Sequence, residues 1–403
     1  MTGGDSKLTN SIQTLSLQQV AEDLPTDAGG VPPRTRVISG VVPVVVRQDG
    51  PVGPKYQEAL GYTFLVKEPK FPSLVRMDSG TLALSMAGTR TPRELTDLTR
   101  LEEYILFSDD GFSWSQPRPI PGHRTRLTAL GGSKLMLWGF PDASGVGPTS
   151  LWFSVDAGAN WTDPETIPPL PDGREWHTDV AYTSLVEDNT VTLLGWAKLE
   201  GYSRWKEGAN MGQCVLRRYH LDDHTWDAPY LFPEPWGLNE GSLTRAQNGN
   251  LVAAFRTQMI GVPIQSDHYM GIATSVSRDN GRTWCEPARH LRYGHVHQSF
   301  LHLTGGRILM TYAARIGELE GRSYHGIEAV VSHDNGATWD WEQRYILFRW
   351  TEECMHSPRS ALLADGRILT VFMCHTMASW SDSDAHAGGQ GPAHTSAVIW
   401  SPT

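Results

Sequence analysis

Two arginines of this sequence end apolar segments, where a charge costs free energy unless it faces a polar channel. Arg256 ends the run LVAAFR, and Arg315 ends the run LMTYAAR. A guanidinium in such a channel can bind a carboxylate through two parallel hydrogen bonds. The alternative is that Arg256 packs its stem on apolar neighbours and keeps its charge in water. We favour the channel, which predicts a site for an anionic ligand.

Histidine is a second source of chemistry, with fifteen residues in the chain. His295 and His297 form the one pair at metal-ligand spacing, and alternation along a β-strand would place both on one face. We favour hydrogen-bonded loop histidines and predict neither a metal nor a cofactor. Near neutral pH, His356 or His177 could act as a general acid or base where a carboxylate or a tyrosine is missing.

The composition restricts the classes of partner. The 403 residues contain 34 Lys and Arg against 44 Asp and Glu, which gives a formal net charge of −10. Nucleic acid is not an expected partner, because binding phosphates requires clustered cations. No apolar run is long enough to span a membrane, and the N-terminus has no signal-peptide pattern. We expect a cytoplasmic protein unless a leader has been removed, and the oligomeric state stays open.

A repeated motif, Ser-x-Asp-x-Gly-x-Thr-Trp, indicates which elements position these residues. It is complete in SRDNGRTW (277–284) and SHDNGATW (332–339), and Asn replaces Thr in SVDAGANW (154–161). In FSDDGFSW, Phe107 and Asp109 take the Ser and Asp positions. Asp and Asn favour turns, Gly supplies a positive φ, and Trp fills the space between sheets. We therefore expect these aspartates to form turns and not to catalyse.

A second unit, consisting of a strand, a tight turn and another strand, occurs six times. Its turn positions are Gly80, Gly132, Asn189, Gly249, Gly306 and Gly366, separated by 52, 57, 60, 57 and 60 residues. This spacing fits four-stranded blades and predicts an all-β, six-bladed β-propeller over residues 36–403, after a polar arm at 1–35. To close the ring, the strand at 36–47 should complete the last blade beside residues 395–400.

The motif, placed on six such repeats, resembles the Asp-box (BNR) repeats of the sialidase, or neuraminidase, superfamily. The resemblance covers residues 36–403 and implies a single catalytic domain of the sialidase type. It also implies an exo-acting glycoside hydrolase whose partner is a glycan from which it cleaves a terminal, acidic sugar. The same repeats occur in arabinanases, polysaccharide lyases and propellers without activity.

The resemblance assigns roles to residues of the fourth and sixth repeats. Glu240 and Arg256 flank the fourth turn at the spacing of a Glu that assists the nucleophile and an Arg that binds the substrate carboxylate. The family's nucleophilic Tyr should lie nine or ten residues before Gly366, where this chain has Ser357 and His356. This difference argues against a tyrosine nucleophile.

In the first repeat, Lys70 stands where the family has an arginine. Lysine keeps the positive charge but cannot form the two-pronged contact with a carboxylate. The loop that follows should carry the catalytic acid. Asp97 is the candidate, and Glu94, Glu102 and Glu103 are alternatives.

The remaining candidates for substrate binding come from other repeats. The third family arginine corresponds to Arg315 or to Arg322, which we place in the loop before the strand IEAVVS. Arg359 follows Pro358 and could supply the charge that is weakened at Lys70. Further polar residues near strand ends are Arg124, Arg126, Glu175, His177, Asp179 and His297. Converging cations would attract an anionic sugar.

The leading hypothesis is a hydrolase with Glu240 as base or nucleophile, Asp97 as acid, and Lys70, Arg256 and Arg315 as the anion clamp. One alternative is a lyase, in which His removes the C5 proton of a uronate while Arg or Lys neutralises its carboxylate. The other is a glycan-binding propeller without activity. A hydrolase needs two carboxylates across a cleft, a lyase needs His beside Arg without that pair, and a binding module needs an aromatic platform.

Overall fold

Six β-sheets, built almost entirely of antiparallel strand pairs, make up nearly all of the described chain, and they are arranged as the blades of a propeller. The computed structural model describes residues 36–37, 42–44, 67–89, 102–142, 148–177, 183–198, 212–232, 238–258, 270–291, 295–319, 322–350, 353–376 and 393–402. Within these ranges, the helical segments are short 3₁₀ turns such as Thr304–Gly306, and none is long and apolar enough to cross a membrane. The predicted all-β, six-bladed fold is confirmed.

The strands follow the repeat order along the chain. Two short strands come first, β1 (Arg36–Val37) and β2 (Val42–Val44). Blade 1 contains β3 (Lys67–Arg76), β4 (Leu82–Thr89), β5 (Glu102–Ser108) and β6 (Arg118–Ile120). Blade 2 contains β7 (His123–Gly131), β8 (Lys134–Phe140), β9 (Ser150–Ser154) and β10 (Glu165–Thr166). Blade 3 contains β11 (Trp176–His177), β12 (Ser184–Glu187), β13 (Thr190–Lys198), β14 (Gly212–His220), β15 (Thr225–Trp226) and β16 (Tyr230–Leu231).

The other three blades have the same plan. Blade 4 contains β17 (Leu238–Arg245), β18 (Leu251–Gln258), β19 (Met270–Ser277) and β20 (Ala288–Leu291). Blade 5 contains β21 (His295–His302), β22 (Ile308–Leu319), β23 (Arg322–Ser332) and β24 (Tyr345–Trp350). Blade 6 contains β25 (Glu353–Leu362), β26 (Ile368–Thr376) and β27 (Ala393–Trp400).

The ring closes through contacts between neighbouring inner strands, in the order β3, β7, β12, β17, β21, β25 and back to β3. The strand β2 pairs antiparallel with β27, with Val42 opposite Ile399, and so completes blade 6 as predicted. The strand β1, however, pairs in parallel with β24 of blade 5, with Arg36 opposite Tyr345. The described residues 36–37 and 42–44 therefore belong to two different blades, so the prediction that the whole strand completes the last blade was wrong.

Apolar side chains fill the six spaces between adjacent blades. Leu194 of blade 3 and Phe255 of blade 4 are fully buried in one cluster, and Ile327 of blade 5 and Phe372 of blade 6 are fully buried in another. Burying one such side chain contributes about 1.5–3 kcal/mol. Both faces of each sheet are therefore covered by apolar side chains of the neighbouring blades.

The motif loops share one set of hydrogen bonds. In residues 277–284, the Ser277 hydroxyl donates to Asp279 at 2.8 Å and accepts from the Gly281 amide at 2.7 Å. The backbone and hydroxyl of Thr283 both donate to the Asp279 carboxylate, at 2.8 and 2.6 Å. Equivalent bonds occur around Asp156 and Asp334. The aspartates thus close turns, as the motif predicts.

The loop in blade 1 differs from its predicted alignment. The Ser108 hydroxyl donates to Asp110 at 3.1 Å and accepts from the Gly111 amide at 2.8 Å. The motif positions therefore belong to Ser108 and Asp110, and their assignment to Phe107 and Asp109 was wrong. The loop contains one residue fewer between its serine and its glycine, which the spacing to Trp114 does not reveal.

One glycine of these loops makes a close approach between blades. Gly336 has φ +83°, and a Cβ added there would lie 2.6 Å from Cγ2 of Val252 in blade 4. Gly249 has φ +87° with no atom within 4 Å of its added Cβ. We expect Gly249→Ala to lower the free energy of unfolding by about 1–2 kcal/mol through backbone strain alone. Gly336→Ala should cost about 1–3 kcal/mol more, because it also overpacks the contact with Val252.

Urea denaturation of both variants checks this prediction. Gly249→Ala is the matched control, since both positions share the left-handed backbone. Equal losses in the two variants would show that the contact between the blades tolerates the added methyl group.

Candidate active site

A β-bulge recurs near the beginning of the inner strands. The register shifts lie between Asn239 and Gly241 in β17, between Val296 and Ser299 in β21, between His356 and Arg359 in β25, and between His123 and Arg126 in β7. In each bulge one residue other than glycine has a positive φ. These residues are Arg124 (50°), Glu240 (39°), His297 (62°) and Ser357 (49°). A bulge bends the strand and re-aims a side chain, and such strained residues cluster at functional sites.

The bulge residues occupy equivalent positions in blades 4, 5 and 6. Each lies nine residues before its turn glycine, as the pairs 240 and 249, 297 and 306, and 357 and 366 show. The structure thus brings the predicted residues Glu240 and His297 to matching places in adjacent blades. In blade 6 the matching residue is Ser357. The position of the expected tyrosine therefore corresponds to Ser357 and not to His356.

Glu240 forms a buried ion pair with Arg256. The NH1 group of Arg256 lies 2.6 Å from both carboxylate oxygens of Glu240. The pair forms because β17 and β18 place Asn239 opposite Arg256, and the bulge turns the next residue towards the guanidinium. Glu240 is 8% exposed and Arg256 3% exposed. Part of the Arg256 charge is therefore used on a protein carboxylate, and its contact with a substrate stays a prediction.

His297 lies beside this ion pair, across the space between blades 4 and 5. Its Nδ1 is 3.9 Å from Oε2 of Glu240. The next residue, Gln298, donates from its amide nitrogen to the carbonyl of Glu240 at 2.6 Å and to that of Ala254 at 3.1 Å. The hydroxyl of Ser242 donates back to the Gln298 carbonyl. The Gln298 side chain is fully buried. Its hydrogen bonds hold the backbone at Glu240 in the position that places the carboxylate near His297.

Tyr312 packs with Val252 and Ala254 of blade 4, so His295 and His297 both lie on the side of blade 5 that faces blade 4. His295 packs edge-on against Tyr312, and its Nε2 lies 3.9 Å from Glu328 within blade 5. His297 lies near a different carboxylate, that of Glu240 in blade 4. Over the described ranges, no three His, Cys, Asp or Glu side chains lie close enough together to hold a metal ion.

Two further predicted arginines follow bulges in blades 2 and 6. Arg126 and Arg359 are each 3% exposed. Each donates from NH1 to the carbonyl of the preceding residue, Thr125 at 3.2 Å and Pro358 at 2.8 Å. They have corresponding positions and the same backbone contact, and they place positive charge beside the inner strands.

Among the alternatives for the acid, Glu103 is the buried carboxyl. It is 2% exposed and accepts from the Thr125 amide at 3.4 Å and from the Thr125 hydroxyl at 3.2 Å. Burial raises the pKa of Glu103 to about 7, against the opposing effect of the nearby Arg126 charge. Glu102, the preceding residue, is exposed at the beginning of β5. Asp97 and Glu94 lie outside the described residues.

Several predicted residues are described only by their backbone. Lys70 lies in β3 between two register shifts, and His356 lies in β25 opposite Met373. His177 ends β11. The strands β22 and β23 are longer than predicted, so Arg315 lies inside a strand, and Arg322 begins the next one opposite Leu319. The prediction of a loop at Arg322 was therefore wrong.

Some buried polar residues were not singled out from the sequence. Gln298 has no motif of its own, although it follows His297 directly. His123 begins β7 at 2% exposure, and burial together with the Arg124 charge lowers its pKa to about 4. Glu328 is fully buried and accepts from the Tyr312 hydroxyl at 2.7 Å and from Arg344 at 3.1 Å. A charge inside the apolar run IEAVVS was the signal that could have identified it.

Solved structures share this architecture at low sequence identity. A protein of unknown function from Dyadobacter fermentans has a TM-score of 0.60 and 17% identity, with 89% of this chain and 98% of that chain covered. The NanB sialidase of Streptococcus pneumoniae has a TM-score of 0.57 and 12% identity, with 87% and 72% covered. The fold is that of sialidase-type propellers.

A third similar structure has another printed activity. The α-L-arabinanase of Penicillium chrysogenum, in complex with arabinobiose, has a TM-score of 0.53 and 11% identity, with 89% of this chain and 97% of that chain covered. No protein-family model and no curated protein sequence matches the chain. At these identities the likeness shows the fold, and the chemistry has to be inferred from the residues.

The ion pair between Glu240 and Arg256 can be tested through stability. Arg256→Met should lower the free energy of unfolding by about 3–5 kcal/mol, because it leaves a buried carboxylate without its partner. The double variant Arg256→Met, Glu240→Gln should recover a large part of that loss, because it removes the buried negative charge as well. Urea denaturation of the single and double variants gives the coupling energy. Simply additive losses would contradict a direct interaction.

Glu103 should make stability depend on pH. Its folded pKa of about 7 lies above its ordinary value of 4.5, so the folded state holds the proton more tightly than the unfolded state does. The stabilisation is complete below the unfolded pKa of 4.5 and is lost as the pH rises through the folded pKa of about 7. The loss is about 3 kcal/mol. In Glu103→Gln this loss should be absent when unfolding is measured at about pH 5 and about pH 8. An unchanged difference between the two pH values would contradict the assignment to Glu103.

Proposed function

We propose that the protein is an exo-acting glycoside hydrolase that cleaves a terminal, acidic sugar from a glycan. The observation that carries the proposal is the Glu240 carboxylate, held by Arg256 at 2.6 Å and lying 3.9 Å from His297. Glycoside hydrolysis passes through an oxocarbenium-like transition state, which a fixed carboxylate stabilises. The adjacent imidazole can exchange protons near neutral pH. Both groups lie on strained bulges, where side chains are held in place.

The preference for an acidic sugar rests on the cations of the inner strands. Arg126 and Arg359 are buried in corresponding positions of blades 2 and 6, and Arg124 occupies the bulge of blade 2. Guanidinium groups recognise carboxylates with defined geometry. In a protein with a net charge of −10, such a local concentration of positive charge would select an anionic ligand. Lys70, Arg315 and Arg322 belong to the same proposed clamp.

The similar structures of a sialidase and an arabinanase support a glycosidic bond as the target. Asp97 is the proposed acid that protonates the leaving oxygen. Glu103 is bonded to Thr125 at 2% exposure, and this burial suits a positioning role better than contact with a substrate. We propose that His177 binds the substrate and that His356 transfers a proton.

A uronate lyase is the second candidate, because His297 lies next to an arginine–carboxylate pair. In such a reaction an imidazole removes the C5 proton while a cation neutralises the uronate carboxylate. The two reactions leave different products, since a lyase forms a C4–C5 double bond that absorbs ultraviolet light. A hydrolase adds water and forms no such bond.

A panel of aryl glycosides tests the proposal, with sialic acid and uronic acids among the sugars and polyuronides assayed in parallel by ultraviolet absorbance. We expect wild-type protein to release the aryl group from an acidic sugar. Glu240→Gln should lower kcat/KM by about 10²- to 10⁴-fold, because it removes the charge that stabilises the transition state. Glu286→Gln, at an exposed position in blade 4, is the matched control and should keep full activity.

The outcomes separate the candidates. A rise in ultraviolet absorbance on polyuronides without release of the aryl group would replace the hydrolase with the lyase. Equal activities of Glu240→Gln and Glu286→Gln would contradict the role of Glu240. A failure of the wild type to cleave any substrate would leave the glycan-binding propeller as the better explanation.

A further inference from the structure

The peptide that follows Glu240 is held between two neighbouring blades. Glu240 has φ +39°, in the left-handed region, which strains a residue that has a side chain. On one side, Gly241 lies so close to blade 3 that an added Cβ would overlap Cδ2 of Leu194. From the other side, the amide of Gln298 in blade 5 donates to the Glu240 carbonyl at 2.6 Å. The position of the Glu240 carboxylate therefore depends on contacts from blades 3 and 5.

Gln298 also contacts the strand that carries Arg256. The same amide nitrogen donates to the carbonyl of Ala254 at 3.1 Å, and Ala254 lies two residues before Arg256 in β18. Both partners are carbonyl oxygens, so the nitrogen and not the oxygen of the amide faces them. A primary amide has two N–H donors, one for each carbonyl. One side chain thus connects β17 and β18, the two strands that present the ion pair.

The same residue joins these strands to His297. Gln298 follows His297 directly in β21, and its own carbonyl accepts a hydrogen bond from the Ser242 hydroxyl of β17. Two hydrogen bonds therefore cross between β17 and β21 in opposite directions, one at Glu240 and one at Ser242. Together they restrain the 3.9 Å separation between Oε2 of Glu240 and Nδ1 of His297. A change at residue 298 should move the carboxylate relative to the imidazole.

We infer that Gln298 is a positioning residue of the proposed hydrolase and that it acts through Glu240. Its side chain is fully buried, so it acts without touching the substrate. Its two N–H groups hold the strained residue and the neighbouring strand, so that the Glu240 carboxylate keeps one position while charge develops on the sugar. This inference rests on the proposed function.

A double-mutant cycle on activity tests this role. We expect Gln298→Met to lower kcat/KM on the best aryl glycoside of the panel by about 10- to 100-fold, because a small displacement of the Glu240 carboxylate is enough for such a loss. In a Glu240→Gln background the same substitution should lower kcat/KM by less than about threefold, since the group that it positions has already been changed. Equal factors in both backgrounds would overturn the inference and leave the hydrolase standing. A wild type that cleaves no glycoside would overturn both.

Gln213→Met is the matched control. Gln213 is partly buried in blade 3 and donates from its amide nitrogen to the Phe232 carbonyl at 2.8 Å. The substitution removes the same kind of hydrogen bond from another blade, so kcat/KM should stay at the wild-type value. A loss as large as that of Gln298→Met would contradict a specific role of Gln298. Should Gln298→Met fail to fold, Gln298→Asn takes its place in the cycle, because the shorter amide cannot reach both carbonyls.

A conservative variant separates the lost hydrogen bonds from a general disturbance of the fold. Glutamic acid has nearly the shape of glutamine, and its protonated carboxyl group keeps one donor. Burial raises the pKa of such a group, so Gln298→Glu should keep this donor at about pH 5 and lose it towards about pH 8. At the lower pH we expect Gln298→Glu to be about fivefold more active than Gln298→Met. Urea denaturation at both pH values checks that each variant is folded. Equal activities of the two folded variants at the lower pH would contradict the role of the N–H groups.

Discussion

One extra residue near the beginning of the inner strands determines how this propeller presents its polar groups. A regular strand would alternate its side chains between the two neighbouring blades and leave only backbone at the inner edge. The bulge interrupts the alternation and forces a residue other than glycine into the left-handed region, at a cost of about 1–2 kcal/mol. That strain persists only if the surroundings hold it. Apolar clusters on both faces of each blade and hydrogen bonds between the bulges supply this restraint.

The electrostatics of the site follow from the same burial. Charged groups this far from water are stable only with partners, and the structure pairs them locally. Glu240 has Arg256, and Glu328 has Arg344 and the hydroxyl of Tyr312. Burial raises the pKa of Glu103, because the nearby Arg126 charge and the bonds from the amide and hydroxyl of Thr125 offset only part of the lost solvation. Carboxyl groups with different pKa values therefore occur together among the buried strands of the propeller.

The sequence is most informative where local chemistry decides the structure. Glycine turns at even spacing predict the blades, because a tight turn needs a positive φ wherever it occurs. Arg256 could be predicted to face a polar group, because a charge that ends an apolar strand is costly otherwise, but its pairing with Glu240 is seen only in the structure. The bulges could not be predicted, since an extra residue leaves no mark on the apolar pattern. For this reason the orientation of His297 and the place of Ser357 became evident only from strand register.

The pairing of β1 and β2 has a consequence for how the chain folds. These strands come early in the sequence, yet their partners β24 and β27 are made at its end. Contacts between such distant segments form slowly, because a long loop must close before they contribute any stability. Most blades can form from local hairpins as the chain emerges, whereas the ring stays open until the last strand is available. Folding thus finishes where blade 6 meets blade 1 and where β1 and β2 join blades 5 and 6, and a chain without its last strands would leave these edges unpaired.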